Sequence, residues 1–217
     1  MSDTADAMRV AGTAVVLRDS AHGIEVLLLR RPATGSFAGA WVFPGGRVDG
    51  ADERAGEDEE QAARRAAVRE TAEEVGVGIR DLVTLSRWVP PAETPVRFRT
   101  WFFLARESGD PLRPNPGEIE EAEWMTPERA FDRHASGELM LFPPTWVTLY
   151  SLRDHGDVDA AFASVSAFAR YETRMQKLDD GMRALWAGDE EHPDAPGGPG
   201  ARHRLTMGPP PWVYERD

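Results

Sequence analysis

Apolar residues in the first part of the chain occur in short runs that predict β-strands. Residues 9–18 and 24–30 are rich in Val and Leu and are separated by a turn that contains Gly23. Residues 41–44 form a third, brief apolar stretch that stops at two glycines. Short apolar runs bounded by turn residues are typical of strands. We therefore expect a sheet to begin near residue 9.

Residues 57–75 predict the longest helix, because they are mostly Ala, Glu and Arg and are followed by Gly76, a typical helix C-terminus. The remaining pattern predicts strands at 82–89, 96–105 and 118–125, a helix that begins after Thr126, helices at 145–154 and 158–171, a loop at 193–200, and short apolar segments at 203–207 and 212–214. The fold class expected from this alternation is mixed α/β.

Three carboxylates share one face of the predicted long helix. At about 100° per residue, Glu70, Glu73 and Glu74 lie within roughly 100° of one another. Like charges at this spacing destabilise a helix by a few tenths of a kcal/mol each, and Arg69 alone does not neutralise three acids. A divalent cation would neutralise them, and carboxylate oxygens favour Mg²⁺ or Mn²⁺. The alternative is a solvated Glu/Arg helix that binds nothing.

The other positions of this helix predict which side is buried. Small side chains are expected to leave the acidic face open; they are Ala63, Ala66 and Ala67. The opposite side is expected to pack on the protein; it carries Val68, Ala72 and Val75.

Composition narrows the class of protein. The chain has 217 residues, with 25 basic and 37 acidic side chains, a net charge of −12 and no cysteine. This excess of acid disfavours binding to nucleic acid, and the lack of cysteine excludes disulfides and thiolate sites. No apolar run approaches the roughly 20 residues of a membrane span. We expect a soluble, cytoplasmic protein that does not bind membranes, and a homodimer is compatible with the sequence.

The segment GGRVD at 45–49, followed by RETAEEVGV at 69–77, resembles the Nudix box, G-x5-E-x7-R-E-U-x-E-E-x-G-U, in which U is aliphatic. The resemblance implies a Nudix fold, a mixed β-sheet sandwiched between α-helices. It also implies a hydrolase that uses Mg²⁺ or Mn²⁺ to cleave a nucleoside diphosphate linked to another moiety. The alternative from another class is a non-catalytic Nudix-fold module that senses a nucleotide.

Roles for particular residues follow from the resemblance. It implies Glu70, Glu73 and Glu74 as metal ligands and Arg69 as the residue that orients them. It also implies a catalytic base, for which the candidates are Glu118, which follows a Pro- and Gly-rich loop, and Glu70 or Glu73; the alternative for Glu118 is an exposed acid on an edge strand.

Cations and glycines near the box are candidates for holding the diphosphate. The two glycines lie at the start of the box, and an arginine at a strand end or beside them can make bidentate contacts with phosphate. These candidates are Arg30, Arg31, Arg47, Gly45 and Gly46.

The box is interrupted at residues 49–60. Six residues after Gly46 the family has Glu and this chain has Asp52, whereas the Arg of the box arrives nine residues late, at Arg69. The interruption carries seven acids and one Arg. We expect a mobile loop, and the role of the first Glu passes to Asp52, Glu53 or Glu60.

An interrupted box, the segment 35–46 and the segment 143–146 are similar to the Nudix branch of the peroxisomal coenzyme A diphosphatases of type nineteen. Coenzyme A or a short acyl-coenzyme A is therefore the first substrate candidate, with Arg97 or Arg99 for its 3′-phosphate. Arg99, however, stands where an acidic residue is expected in that branch. ADP-ribose and NADH are the alternatives. We expect residues 1–155 to form the Nudix hydrolase domain and residues 156–217 a helical and loop extension packed on it.

Overall fold

The computed structural model describes residues 8–35 and 37–217. Its elements in chain order are β1 Arg9–Ser20, β2 Gly23–Arg30, β3 Trp41–Val42, β4 Gly45–Arg47, α1 Glu59–Val75, β5 Ile79–Val89, β6 Phe98–Glu107, β7 Glu121–Met125, α2 Pro127–Ala135, α3 Pro143–Leu152, α4 Val158–Ser164, β8 Ala169–Glu172, β9 Arg174–Leu178, β10 Gly181–Leu185, β11 His203–Met207 and β12 Val213–Arg216. Every strand predicted before residue 126 is present, with ends that shift by a few residues.

The main sheet is mixed and has the strand order β3-β2-β1-β6-β5-β8, with β4 paired to β1 and β7 paired to β2. Alternate residues of its strands enter two separate cores. Ala14 and Val16 of β1 pack with Ala63 and other residues of α1, while Val15 of β1 packs with residues of α2, α3 and α4, among them Trp146. A mixed sheet between helices is therefore confirmed.

Helix α1 approaches β1 closely at Gly12. A Cβ atom there would lie 1.8 Å from the carbonyl oxygen of Ala63, so no larger residue fits. The alanines expected to leave the acidic face open are buried instead; they are Ala63, Ala66 and Ala67. Of the three residues expected to be buried, Val68 and Ala72 are exposed and only Val75 is buried. The predicted faces of this helix were wrong, because small residues bring it against the sheet.

The ends of α1 match the sequence pattern. Asp58 accepts a hydrogen bond from the backbone N–H of Gln61 at the N-terminus, and Gly76 ends the helix in the left-handed conformation, at a φ of 69°. Side-chain capping and the glycine fix where the acidic residues fall along the helix. The carboxylates of its second half therefore lie next to β4.

Residues 156–217 contain one short helix and five strands, so the prediction of a helical and loop extension was wrong about secondary structure. The helix predicted over 158–171 ends at Ser164, and β8 pairs in parallel with β5 of the main sheet. Strands β9 to β12 form a second, antiparallel sheet. Trp186 and Leu205 of this region belong to the same core as Trp146 of α3. A domain boundary at residue 155 stays a prediction.

Candidate active site

Glu74 is the most deeply buried carboxylate of the long helix, with 2% of its surface exposed. One of its oxygens accepts a hydrogen bond from the backbone N–H of Gly45 at 2.9 Å, and the other accepts one from Arg31 at 2.8 Å. Burial raises the pKa of Glu74 to about 7; Gly45 and Arg31 oppose this rise, and the negative charges of Glu70 and Glu118 add to it. The three carboxylates therefore lie close enough to repel one another.

Glu70 lies directly against Gly46. A Cβ atom on residue 46 would be 2.3 Å from the Oε1 atom of Glu70, so the glycine leaves the space that this carboxylate fills. Burial raises the pKa of Glu70, the hydrogen bond from Arg69 lowers it, and the charges of Glu73 and Glu118 raise it. The glycine pair of the sequence motif thus makes room for one glutamate and donates an N–H to another.

Arg69 connects the acidic residues. Its Nη1 donates to Glu70 and Glu73, at 2.9 Å each, and its Nη2 donates to Asp52 at 2.8 Å and to the carbonyl oxygen of Arg47 at 3.1 Å. Guanidinium groups have five donors in a fixed plane, so this arginine holds its partners at set angles. The geometry suits the orienting role expected for Arg69. Glu73 is more exposed than Glu70, with 53% of its side-chain surface accessible.

Asp52 anchors the insertion to this network. It is 4% exposed, it accepts a hydrogen bond from its own loop at Asp49 N–H, and its carbonyl oxygen accepts one from Arg65 at 2.7 Å. Burial alone would raise the pKa of Asp52, but the hydrogen bonds from Arg69 and Asp49 hold it below its ordinary value. Residues 49–60 are therefore fastened to α1, against the expectation of a mobile loop.

The three candidates for the first Glu of the box differ in position. Asp52 bonds to Arg69, whereas Glu53 is exposed and Glu60 pairs with Arg64 at 3.3 Å on another side of α1. The insertion lengthens the chain between Asp52 and Arg69 without separating them in space. Asp52 is thus the residue that faces the arginine of the box.

The predicted phosphate-binding arginines are already paired. Arg30 lies 2.6 Å from Glu121 and 3.5 Å from Glu120, and Arg47 lies 2.8 Å from Asp49. Both keep much of their side chains exposed, 41% for Arg30 and 59% for Arg47. Exposed pairs of this kind are weak, so either side chain is free to exchange its partner for a phosphate.

Glu118 emerges from a turn that is fastened to the end of α1. The backbone N–H of Asn115 donates to the carbonyl oxygen of Glu74 at 2.8 Å, and the N–H of Glu118 donates to that of Asn115 at 3.0 Å. Strand β7 begins three residues later than expected, at Glu121, so Glu118 lies in a loop and is exposed. The turn therefore holds Glu118 on the side of Glu74, and its negative charge adds to the raised pKa of Glu70 and of Glu74.

Two features of the site were not expected from the sequence. Arg31 binds Glu74 rather than standing free for phosphate. The loop after it carries Phe37, which is 55% exposed, has a φ of 59°, and packs edge to face on Phe142 at 5.2 Å. An exposed aromatic residue with positive φ is strained and uncommon. An aromatic side chain in a Gly- and Pro-rich loop was the available signal.

The donor chemistry of this region fits a hard divalent cation. Glu70, Glu74 and Glu118 offer only oxygen atoms, and the negative charge of Glu118 adds to the raised pKa of both Glu70 and Glu74. In the part of the chain that the structure describes, no three acidic or imidazole side chains converge in a metal-binding arrangement, and Arg31 and Arg69 donate hydrogen bonds to Glu74 and Glu70. The assignment of Glu70, Glu73 and Glu74 as ligands stays a prediction.

The NUDIX domain model matches residues 8–143. This chain belongs to the NUDIX family. Putative nudix hydrolase 7 of Caenorhabditis elegans is 28% identical over 174 residues, which cover 62% of this chain and 58% of that protein, so the chain spans less than two thirds of that relative's length.

Solved NUDIX structures share the fold. A NUDIX hydrolase from Alicyclobacillus acidocaldarius is 30% identical, with a TM-score of 0.65 over 73% of this chain and 97% of that one. A MutT NUDIX hydrolase from Burkholderia pseudomallei is 27% identical, with a TM-score of 0.50 over 67% and 98%. The resemblance of the box to this family is confirmed. No helix in the described residues is both long and apolar enough to cross a membrane.

Proposed function

We propose that this NUDIX protein is a magnesium-dependent hydrolase that cleaves the diphosphate of a nucleoside diphosphate linked to another moiety. The observation that carries the proposal is the packing of Glu70 against Gly46 and the hydrogen bond of Glu74 with Gly45, where burial and neighbouring negative charges raise the pKa of both glutamates. Keeping negative charges this close favours a ligand that is strongly cationic.

Each residue of the site has a proposed role. Glu70, Glu73 and Glu74 would hold Mg²⁺ or Mn²⁺, which supplies charge neutralisation of the phosphates and a water of lowered pKa. Arg69 keeps Glu70 and Glu73 in place through its hydrogen bonds, both 2.9 Å long. Glu118 accepts the proton of the attacking water, with Glu70 or Glu73 as alternatives.

Substrate contacts come from the rim of the site. Arg30 and Arg47 would exchange their exposed carboxylate partners for the diphosphate. Phe37 lies in the loop between Arg31 and Ala40, which the Arg31 N–H closes by donating to the carbonyl oxygen of Ala40, and with Phe142 it presents an exposed aromatic surface. We propose that this surface contacts the apolar or aromatic part of the substrate.

The test is hydrolysis in ¹⁸O-labelled water with and without Mg²⁺. A panel of nucleoside diphosphate derivatives is incubated with the full chain, and products are analysed by mass spectrometry. Cleavage that needs Mg²⁺, stops with EDTA and places one ¹⁸O in a phosphate product supports the proposal. Binding of these compounds without turnover, with Mg²⁺ or Mn²⁺ present, would instead support the non-catalytic nucleotide sensor.

Coenzyme A or an acyl-coenzyme A is the proposed substrate within this class, on the resemblance of the interrupted box; ADP-ribose and NADH are the alternatives. Arg99, one candidate for the 3′-phosphate, instead pairs with Glu59 at 2.6 Å. Comparing kcat/KM for coenzyme A, dephospho-coenzyme A and ADP-ribose tests whether coenzyme A is the preferred substrate. A charged contact to the 3′-phosphate should favour coenzyme A by roughly 10-fold or more. Equal efficiency on the other two compounds contradicts this substrate.

A further inference from the structure

Four arginines lie near one another on the face of the main sheet that carries α1, and one of them, Arg99, pairs with the first residue of that helix, Glu59, at 2.6 Å. Three belong to adjacent strands and one immediately precedes β6; the four, called here the arginine cluster, are Arg87 of β5, Arg97, Arg99 of β6 and Arg170 of β8. In the strand register, Arg87 stands opposite both Trp101 and Arg170. The chain as a whole carries a net charge of −12, so a local group of four cations is unusual for it.

Aromatic rings hold the guanidinium groups on one surface. The Arg87 guanidinium lies 5.6 Å from the ring centre of Trp101, and that of Arg170 lies 4.9 Å from the ring of Phe168. The two rings are themselves 5.5 Å apart. Stacking of this kind orients an arginine and leaves its N–H groups, at the edge of the plane, free to bind.

The acids near the arginine cluster do not balance its charge. Glu59 lies 2.6 Å from Arg99, and the exposed Glu172 lies 3.7 Å from Arg87. Within residues 8–35 and 37–217, Arg97 and Arg170 form no ion pair. Arg87 and Arg170 are partners in the register of the parallel strands β5 and β8, and two like charges this close repel each other.

The arginine cluster also lacks hydrogen-bond acceptors. The Nε atoms of Arg87 and Arg97 are buried, and within the described part of the chain they have no acceptor. Arg97 reaches one carbonyl oxygen, that of Pro90, at a long 3.4 Å. Since a buried N–H without an acceptor costs free energy, these two donors favour an acceptor that the protein itself does not provide.

We propose that the arginine cluster binds a phosphate dianion at a site separate from the glutamates of the NUDIX helix. Phosphate matches the planar, bidentate donors of arginine and their excess positive charge. Glu59 and Glu70 are eleven residues apart on α1, or about 16 Å along its axis at roughly 1.5 Å per residue, so one bound phosphate does not reach both places. The phosphate is either inorganic phosphate or the phosphomonoester of a nucleotide.

The experiment is isothermal titration of the full chain, in EDTA, with inorganic phosphate and with AMP. EDTA removes divalent cations, so the glutamates repel these anions. The double variant Arg97→Gln/Arg170→Gln should weaken binding of both ligands by at least ~10-fold, since it removes two charged donors. The matched control is Arg80→Gln, which changes an exposed arginine of the same strand β5 that pairs with Asp81; its affinities should equal those of the wild type.

A second variant tests the opposite direction. Glu172→Gln removes the acid that competes for Arg87 and should tighten phosphate binding roughly twofold. AMP that binds at least ~10-fold more tightly than phosphate assigns the site to a nucleotide, and equal affinities assign it to phosphate itself; either result supports the site. A wild type that takes up neither ligand at millimolar concentration, or a folded double variant that binds as tightly as the wild type, overturns the proposal.

Discussion

Two buried carboxylates in this molecule, each with an arginine partner, ionise in opposite ways. Asp189, in the C-terminal region, is 0% exposed, and Glu74, in the candidate active site, is 2% exposed. Burial alone would raise both pKa values, yet the pKa of Asp189 falls to about 2 while that of Glu74 rises to about 7. Burial and the presence of an arginine therefore do not decide the charge state.

The number of donors and the neighbouring charges make the difference. Asp189 accepts two hydrogen bonds from Arg204, one of them at 2.6 Å, and two from the backbone N–H groups of Glu191 and His203 at 2.9 Å. Glu74 accepts one from an arginine and one from the backbone, and it also faces the charges of two other glutamates.

A carboxylate whose lone pairs are all satisfied by its own protein serves the fold, since nothing remains for a ligand to supply. A buried carboxylate that is left short of donors and crowded by like charge stores free energy that a cation can release. The comparison therefore separates a structural ion pair from a site prepared for a metal ion, although both look alike in the sequence as an acid and a distant arginine.

The largest expected effect is on stability, in the C-terminal region. Asp189→Asn leaves the buried Arg204 with only the half-exposed Glu191, at 2.8 Å, as a counter-ion, and we expect a loss of about 3 kcal/mol in the free energy of unfolding. Urea denaturation measures this loss, with Asp194→Asn as control, because Asp194 forms only an exposed pair with Arg174. Turnover per folded molecule should not change. A loss below about 1 kcal/mol would contradict a structural role for the ion pair of Asp189 and Arg204.

The pH dependence of stability should differ in sign between the two sites. A raised pKa keeps Glu74 protonated in the folded state while the unfolded chain loses its proton above 4.5, so metal-free stability falls as pH rises from about 4.5 to 7, by about 3 kcal/mol. Asp189 contributes stability that is complete above its ordinary pKa of 3.8 and is lost as pH falls towards 2.

Urea midpoints in EDTA test this difference, from about pH 4.5 to 8 for Glu74 and from about pH 4 down to 2 for Asp189. The variant Glu74→Gln should flatten the profile between pH 4.5 and 7, and saturating Mg²⁺ should do the same in the wild type, if the cation stabilises the charged form. A wild-type profile that rises over this pH range would contradict the raised pKa of Glu74.

Catalysis should depend on the glutamates far more than stability does. Glu70→Gln and Glu74→Gln should each lower the Mg²⁺-dependent rate by at least ~100-fold, or about 2.7 kcal/mol, because each removes an anionic ligand. The fold should survive, since each change also removes a repulsion between acids. Glu128→Gln, at an exposed position in the first turn of α2, is the control. Unchanged turnover in both site variants, at any Mg²⁺ concentration, would refute the metal assignment.

The sequence predicted the site better than it predicted the surroundings of the site. The motif placed Glu70, Glu73, Arg69 and the glycine pair correctly in one region, because short-range spacing on a helix and glycine next to it are local properties. Which face of α1 is buried depends on the close approach of Ala63 to Gly12, in a strand 51 residues earlier. Helical periodicity carries no information about that contact.

The C-terminal region was mispredicted for a similar reason. Residues 174–185 form a hairpin of β9 and β10, which closes at Gly181 with a φ of 147°. Its strands are only five residues long, and their sequences, RMQKL and GMRAL, do not alternate strictly between polar and apolar residues, so the local strand signal is weak. Packing of Trp186 into the shared core stabilises it, and this packing is not visible in the sequence.

The smallest expected effect concerns Asp52, which links the insertion to Arg69. Asp52→Asn keeps the shape but removes the charge, so Arg69 loses one of the partners that fix its angle towards Glu70 and Glu73. We expect kcat to fall by roughly 10-fold with little change in KM, and Asp52→Glu, which restores the charge and the residue type of the family's box, to recover most of the rate.

The control is Glu53→Gln, an exposed acid next to Asp52 in the same insertion, which should retain the wild-type kcat. Deleting residues 51–56 removes Asp52 and the carbonyl oxygen that accepts from Arg65, so this deletion should lower both stability and kcat instead of being neutral, as a mobile loop would allow. If Asp52→Asn and the deletion both leave kcat at the wild-type value, Arg69 orients the glutamates without help from the insertion, and the interruption of the box is a passive loop.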